Sequence, residues 1–116
     1  MGSFTNTAKN TMLDALESTY TIYAALFNGQ PSVAGVELTG GSPAYARQAV
    51  TLAAAASGQI LVTADETFDV ASGSTVNYIA LYDAVTAGNL LAEDDVTEET
   101  YGAQGQYILD SQTLTI

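Results

Sequence analysis

The chain has no cysteine and no histidine. Without cysteine there is neither a disulfide framework nor a thiolate metal site. Without histidine the commonest general base and the commonest metal ligand are both missing. Basic residues are nearly absent as well: Lys9 and Arg47 stand against thirteen acidic residues, for a formal charge of −11. A protein that grips nucleic acid needs cations against phosphate, so direct binding of DNA or RNA is effectively excluded. No apolar run approaches the roughly 18 residues of a membrane-spanning helix, and no signal-peptide pattern opens the chain, so no membrane role is expected. There is no Gly-rich phosphate loop followed by lysine, no Gly-x-Ser-x-Gly elbow and no Ser-His pair. Neither catalysis nor a cofactor is expected.

What is present suits a folded domain. Apolar residues make up 47% of the 116 positions, close to the globular average. That length supports one core, and residues 1–116 are expected to form a single domain. The organising stretch is Ser74 to Asp95. Its first run, Thr75 to Asp83, is rich in β-branched and aromatic residues. Val76, Tyr78, Ala80 and Tyr82 alternate with Ile79 and Leu81, so both faces are partly apolar, as in an inner strand covered on two sides. Ala84 to Asn89 contains Gly88-Asn89, which predicts a hairpin loop leading into Leu90-Leu91-Ala92.

Upstream, Thr5 to Ser18 reads as a helix, capped by Thr5 or Thr7. Ala8, Met12, Ala15 and Leu16 form one stripe, which would pack on a sheet or dock on a neighbouring subunit. Thr19 to Phe27 is apolar on both faces and predicts a buried strand. A loop follows at Asn28 to Gly35, then a short strand at Val36 to Leu38 with those two side chains on one side. Gly40-Gly41-Ser42-Pro43 is strong turn chemistry, and Ser42 can also cap one helical turn. Arg47, so isolated a cation, suits a guanidinium fork pinning carbonyls or a carboxylate at a sheet edge, or a contact with another subunit. Strands are expected at Ala49–Ala56, at Gln59–Thr63 and at Thr67–Val70, the last with Phe68 and Val70 inward. Ser72-Gly73-Ser74 turns the chain into the central hairpin.

The five carboxylates of Glu93, Asp94, Asp95, Glu98 and Glu99 fall within seven residues. They read as a solvated loop or a repulsive guard on a sheet edge. Hard cations also take oxygen ligands, but the spacing does not match an EF-hand loop. Tyr107–Leu109 and Thr113–Ile116 predict a terminal hairpin, either tied into a sheet or donated to a neighbour. Strands recurring at this interval predict a mostly β chain: an antiparallel β-sandwich, jelly-roll or immunoglobulin-like, of seven to nine strands with one N-terminal helix.

Three stretches carry a resemblance: Asn6 to Leu16; Gly40 to Thr51, beginning Gly-Gly-Ser-Pro-Ala-Tyr-Ala-Arg; and Val76 to Ala84 with Gly88-Asn89-Leu90-Leu91. In this order they resemble small virion proteins of tailed phages of actinobacteria, described as minor tail or tail-fibre-like proteins. The resemblance implies a structural component of the virion, made in the host cytoplasm and not an enzyme, present as a homo-oligomer or in many copies. It carries over no catalytic or binding residue. Its partners would be other virion proteins, of the tail or, for a capsid-decorating protein, the major capsid protein. A reading of another class is a host-glycan-binding module using tyrosine rings as sugar platforms. The residues expected at an interface are Met12, Leu16, Tyr45, Arg47, Leu114 and Ile116.

Overall fold

The computed structural model describes residues 5–19, 21–52, 56–57, 59–61, 66–109 and 113–115. Its elements are helix α1 (Asn6–Thr19) and strands β1 (Tyr23–Asn28), β2 (Val36–Glu37), β3 (Gln48–Ala49), β4 (Gln59–Leu61), β5 (Glu66–Val70), β6 (Thr75–Tyr82), β7 (Leu90–Thr100), β8 (Gly105–Leu109) and β9 (Thr113–Thr115). The chain is mostly β, with antiparallel pairing throughout and one short helix near the N-terminus, as the sequence predicts.

Thr5 caps α1: its Oγ1 accepts the Ala8 N–H at 3.3 Å. Among the described α1 side chains none is buried, and Met12 is 39% exposed; the Leu16 side chain of the stripe lies outside those described. The helix lies beside β4.

The main sheet runs β2-β1-β6-β7, with β3 also on β1. β2 faces Phe27 and Asn28, β3 faces Tyr23 and Ala24, and both run antiparallel to β1 on the side away from β6. They are therefore two halves of one edge strand, interrupted by an excursion from Thr39 to Arg47. The excursion is a turn closed by a Gly41–Ala44 bridge. It is not the helical turn that Ser42 could have capped.

β6 is the inner strand. Val76, Ile79 and Leu81 join Leu26, Phe68, Val70 and Leu109 in the core. Ala80 lies on the opposite face with Ala25 and Phe27, flanked by Tyr78, Tyr82 and Leu90. Strict alternation would have put Val76 with Tyr78. A register shift between those two residues moves it to the core face instead. The β5–β8 ribbon lays Phe68, Val70 and Leu109 against the sheet, a layering compatible with a sandwich.

Several strands differ from their expected bounds. The first begins at Tyr23, not Thr19. The run at 49–56 yields only Gln48–Ala49 as a strand, with isolated bridges at Leu52 and Ala56, and residues 53–55 lie outside the described chain. Val36 is 68% exposed while Leu38 is buried. The acidic cluster lies within β7, an eleven-residue edge strand and not a loop; pairing with the apolar β6 overrides the weak strand preference of the charged residues. Finally, β8 pairs with β5 and β9 with β4, so the last two runs do not form a hairpin.

Leu81 is 4% exposed in the strand on which both faces depend. Truncation to alanine is expected to cost about 2–5 kcal/mol, read as a lowered urea midpoint at unchanged slope.

Candidate functional site: the neck of the edge-strand excursion

Interrupting an edge strand strands the backbone groups opposite the gap. On β1 the gap falls at Leu26. Its carbonyl still accepts the Leu38 N–H at 3.0 Å. Its own N–H has no ladder partner and donates to the Tyr45 hydroxyl at 3.0 Å. A side chain thus replaces a missing backbone acceptor. The Tyr45 hydroxyl in turn donates to Glu37 Oε2 at 2.8 Å, and its ring stacks near Phe68 with centroids 6.4 Å apart.

Glu37 sits at one root of the excursion and Arg47 at the other. They form a two-toothed ion pair, Nε to Oε2 and Nη2 to Oε1, each at 2.9 Å. Arg47 Nη1 donates to the carbonyls of Ala84 at 3.0 Å and Ala87 at 2.8 Å, so the same guanidinium holds the β6–β7 loop. Its Cζ lies 3.8 Å from the Tyr82 ring centroid. Phe27 packs nearly parallel to Tyr82 at 6.2 Å. Ala25 and Ala80 are fully buried on this outer face, and a floor of small side chains lets the flat groups lie close to the sheet.

The electrostatics follow. The Arg47 side chain is 7% exposed and that of Glu37 24%. Hydrogen bonding to Glu37 raises the Arg47 pKa, partly opposed by burial. Burial pushes the Tyr45 phenol far above its ordinary range; Glu37 adds to this, while the Leu26 N–H and Arg47 oppose it. Burial also raises the Tyr82 phenol, with Arg47 opposing. All these shifts hold the groups in their neutral-pH forms, so the cluster acts as a clamp. Ala87 takes a left-handed φ of 52° within the loop that Arg47 grips. At the root of that loop Asp83 accepts the Asn89 N–H at 2.7 Å and its side-chain amide at 2.9 Å, which hold its carboxyl below the ordinary range.

Between the excursion and the β6–β7 loop lies an open cleft of about 310 Å³, lined by Thr39, Gly40, Ala46, Val85 and Thr86 over Arg47. Glu37 cancels the one positive charge in its floor, so the cleft does not attract anions.

The structure brings Tyr45 and Arg47 together, both committed to partners within the chain. Met12 and Leu16 lie on α1 and Leu114 on β9, opposite Ile60; both elements lie against β4. Ile116 lies outside the described residues. Sequence reasoning missed Glu37 and Tyr82. A signal for Glu37 existed: it is the one acidic residue between Glu17 and Asp65. In the acidic cluster, Glu93 accepts from the Gln30 side chain at 2.5 Å and from the Ser32 N–H and hydroxyl at 2.9 Å, which hold its carboxyl below the ordinary range. Glu98 accepts from Asn77 at 3.3 Å.

A family model described as "Podophage GP4 fiber I protein gp80" matches residues 3–116. The chain belongs to this family of phage fibre proteins. No curated protein matches the sequence. The podophage fibre family is structural and its members are virion components, which agrees with the phage resemblance read from the sequence. Its description names a podophage and gives no actinobacterial host. The match covers the whole neck, Glu37, Tyr45, Arg47 and Tyr82 included.

Two outcomes are expected. Arg47→Ala should cost about 3 kcal/mol, because it leaves a largely buried carboxylate and two loop carbonyls unpaired. Tyr45→Phe should cost about 1–3 kcal/mol through the orphaned Leu26 N–H; chemical denaturation measures both. On the alkaline side, burial first and then Glu99 push the Tyr101 phenol from its ordinary 10.0 up to about 12. A raised pKa means that the fold favours the neutral phenol, a contribution intact below pH 10 and lost as pH rises through 12. The part of the phenolate absorbance that Tyr101→Phe removes should therefore appear at higher pH than that of free tyrosine.

Proposed function

We propose that this chain is a component of a podophage tail fibre, repeated in several copies and joined to other virion proteins. The observation that carries the reading is the family match over residues 3–116, which leaves almost none of the chain to another role. The neck supports it. Its ionic and aromatic groups clamp two loops to a sheet, as a structural part requires.

Attachment to the particle is assigned to the elements beside β4. α1 presents Met12 to solvent and carries Leu16, and β9 carries Leu114. β9 carries no charge, and Lys9, Asp14 and Glu17 leave α1 a net charge of only −1. The host-glycan reading needs open tyrosine rings, and the described tyrosines are half-buried.

Gold-labelled antibody against this protein, imaged on whole particles, is expected to mark a few sites at the tail. Labels spread regularly over the head would make it a capsid-decorating protein bound to the major capsid protein and would overturn the fibre assignment.

A further inference from the structure

The main sheet has two edges, and they are built differently. One is β7, which carries Glu93, Asp94, Asp95, Glu98 and Glu99. Its register against β6 also slips, with Val76 opposite Glu99 but Tyr78 opposite Asp95. Charge and a bulge both keep an edge from pairing with another chain.

The other edge is the interrupted strand made of β2 and β3, and its β2 half has neither guard. The Leu38 N–H donates to Leu26, and Val36 faces Asn28 across the ladder. Antiparallel alternation then turns the N–H and C=O of Glu37 and Thr39 outward. Among the described residues no strand pairs on that side. The one charge there, Glu37, is cancelled by Arg47 at 2.9 Å. On the same hairpin Val33 and Val36 are 75% and 68% exposed, the highest values among the described large apolar side chains.

We propose that the β2 edge pairs with the β2 edge of a second copy of this chain, antiparallel about a two-fold axis. The pairing joins two sheets and covers Val36. Charge decides the occupant. At −11 two copies repel over most of their surface. The β2 edge is the place where the sheet can meet its own image without opposing net charges of one sign. A basic partner would be drawn to β7 instead. The pairing holds wherever the chain sits on the particle, so it stands or falls separately from the fibre assignment.

Light scattering on the purified full chain should give twice the 12.0 kDa monomer mass. The dimer fraction should rise with added salt, because screening relieves repulsion between like-charged copies; an interface of ion pairs would respond in the opposite sense. The sequence has no cysteine, so single introduced thiols report contacts cleanly. Val36→Cys should join two chains through a short bis-maleimide, and Thr97→Cys on the β7 edge should not. Val36→Lys should weaken the dimer at least about tenfold in Kd. Val36→Ser should weaken it less, and circular dichroism should show both variants folded. The proposal is overturned by a monomer at every attainable concentration, by cross-linking at Thr97→Cys without Val36→Cys, or by a dimer that Val36→Lys leaves unchanged. A monomer whose Val36→Lys variant fails to enter particles would assign the edge to a different virion protein and equally refute self-pairing.

Discussion

The structure depends on how one orphaned amide is satisfied. Where the edge strand leaves the sheet, Leu26 would keep an unpaired N–H beside a buried core, at a cost comparable to a lost hydrogen bond. Tyr45 reaches in from the excursion and accepts it. That fixes the Tyr45 hydroxyl, whose own proton then points at Glu37, and Glu37 fixes Arg47. Arg47 passes the constraint across the outer face to the carbonyls of the β6–β7 loop. A gap in one strand is thereby tied to the turn between two others.

The two sides of the sheet perform different tasks with different residues. The inner side is ordinary close packing, with Leu26, Ile79, Phe68 and Val70 all at zero exposure. Among the described residues the outer side has no second layer of that kind. Two alanines, two aromatic rings and a neutralised ion pair make a thin polar lid in its place. Most of the remaining acidic side chains stay near water, where repulsion costs little and discourages aggregation.

Much of the fold was legible because it is local. β6 and the inward Phe68 and Val70 follow from alternation, the turn before β6 from Ser72-Gly73-Ser74, and the helix start from Thr5. Arg47 as a fork followed from the scarcity of cations. The remainder was not legible because it depends on partners distant in sequence. Nothing near Glu37 says that Arg47 will face it, nor that β2 and β3 share one edge. Charge alone left the acidic cluster as either a loop or an edge guard, and pairing with β6 makes it the edge. The last two apolar runs are close enough to suggest a hairpin, but their better partners lie tens of residues upstream. At the neck, Arg47 could be singled out by composition, whereas Tyr45 was expected only at an interface and Tyr82 was assigned only to the alternation of a strand.

The β5–β8 ribbon has a consequence for how the chain is made. β5 supplies Phe68 and Val70 to the core, yet its pairing partner begins only at Gly105. On the ribosome the β5 backbone must wait, unpaired, until β6, the acidic β7 and β8 have all emerged. Such delayed pairing slows folding and exposes a nascent chain to wrong contacts. The carboxylates of β7 emerge during that interval, next to the incomplete core. The residues that guard an edge in the finished protein therefore also serve as a solubilising segment while the sheet is still open.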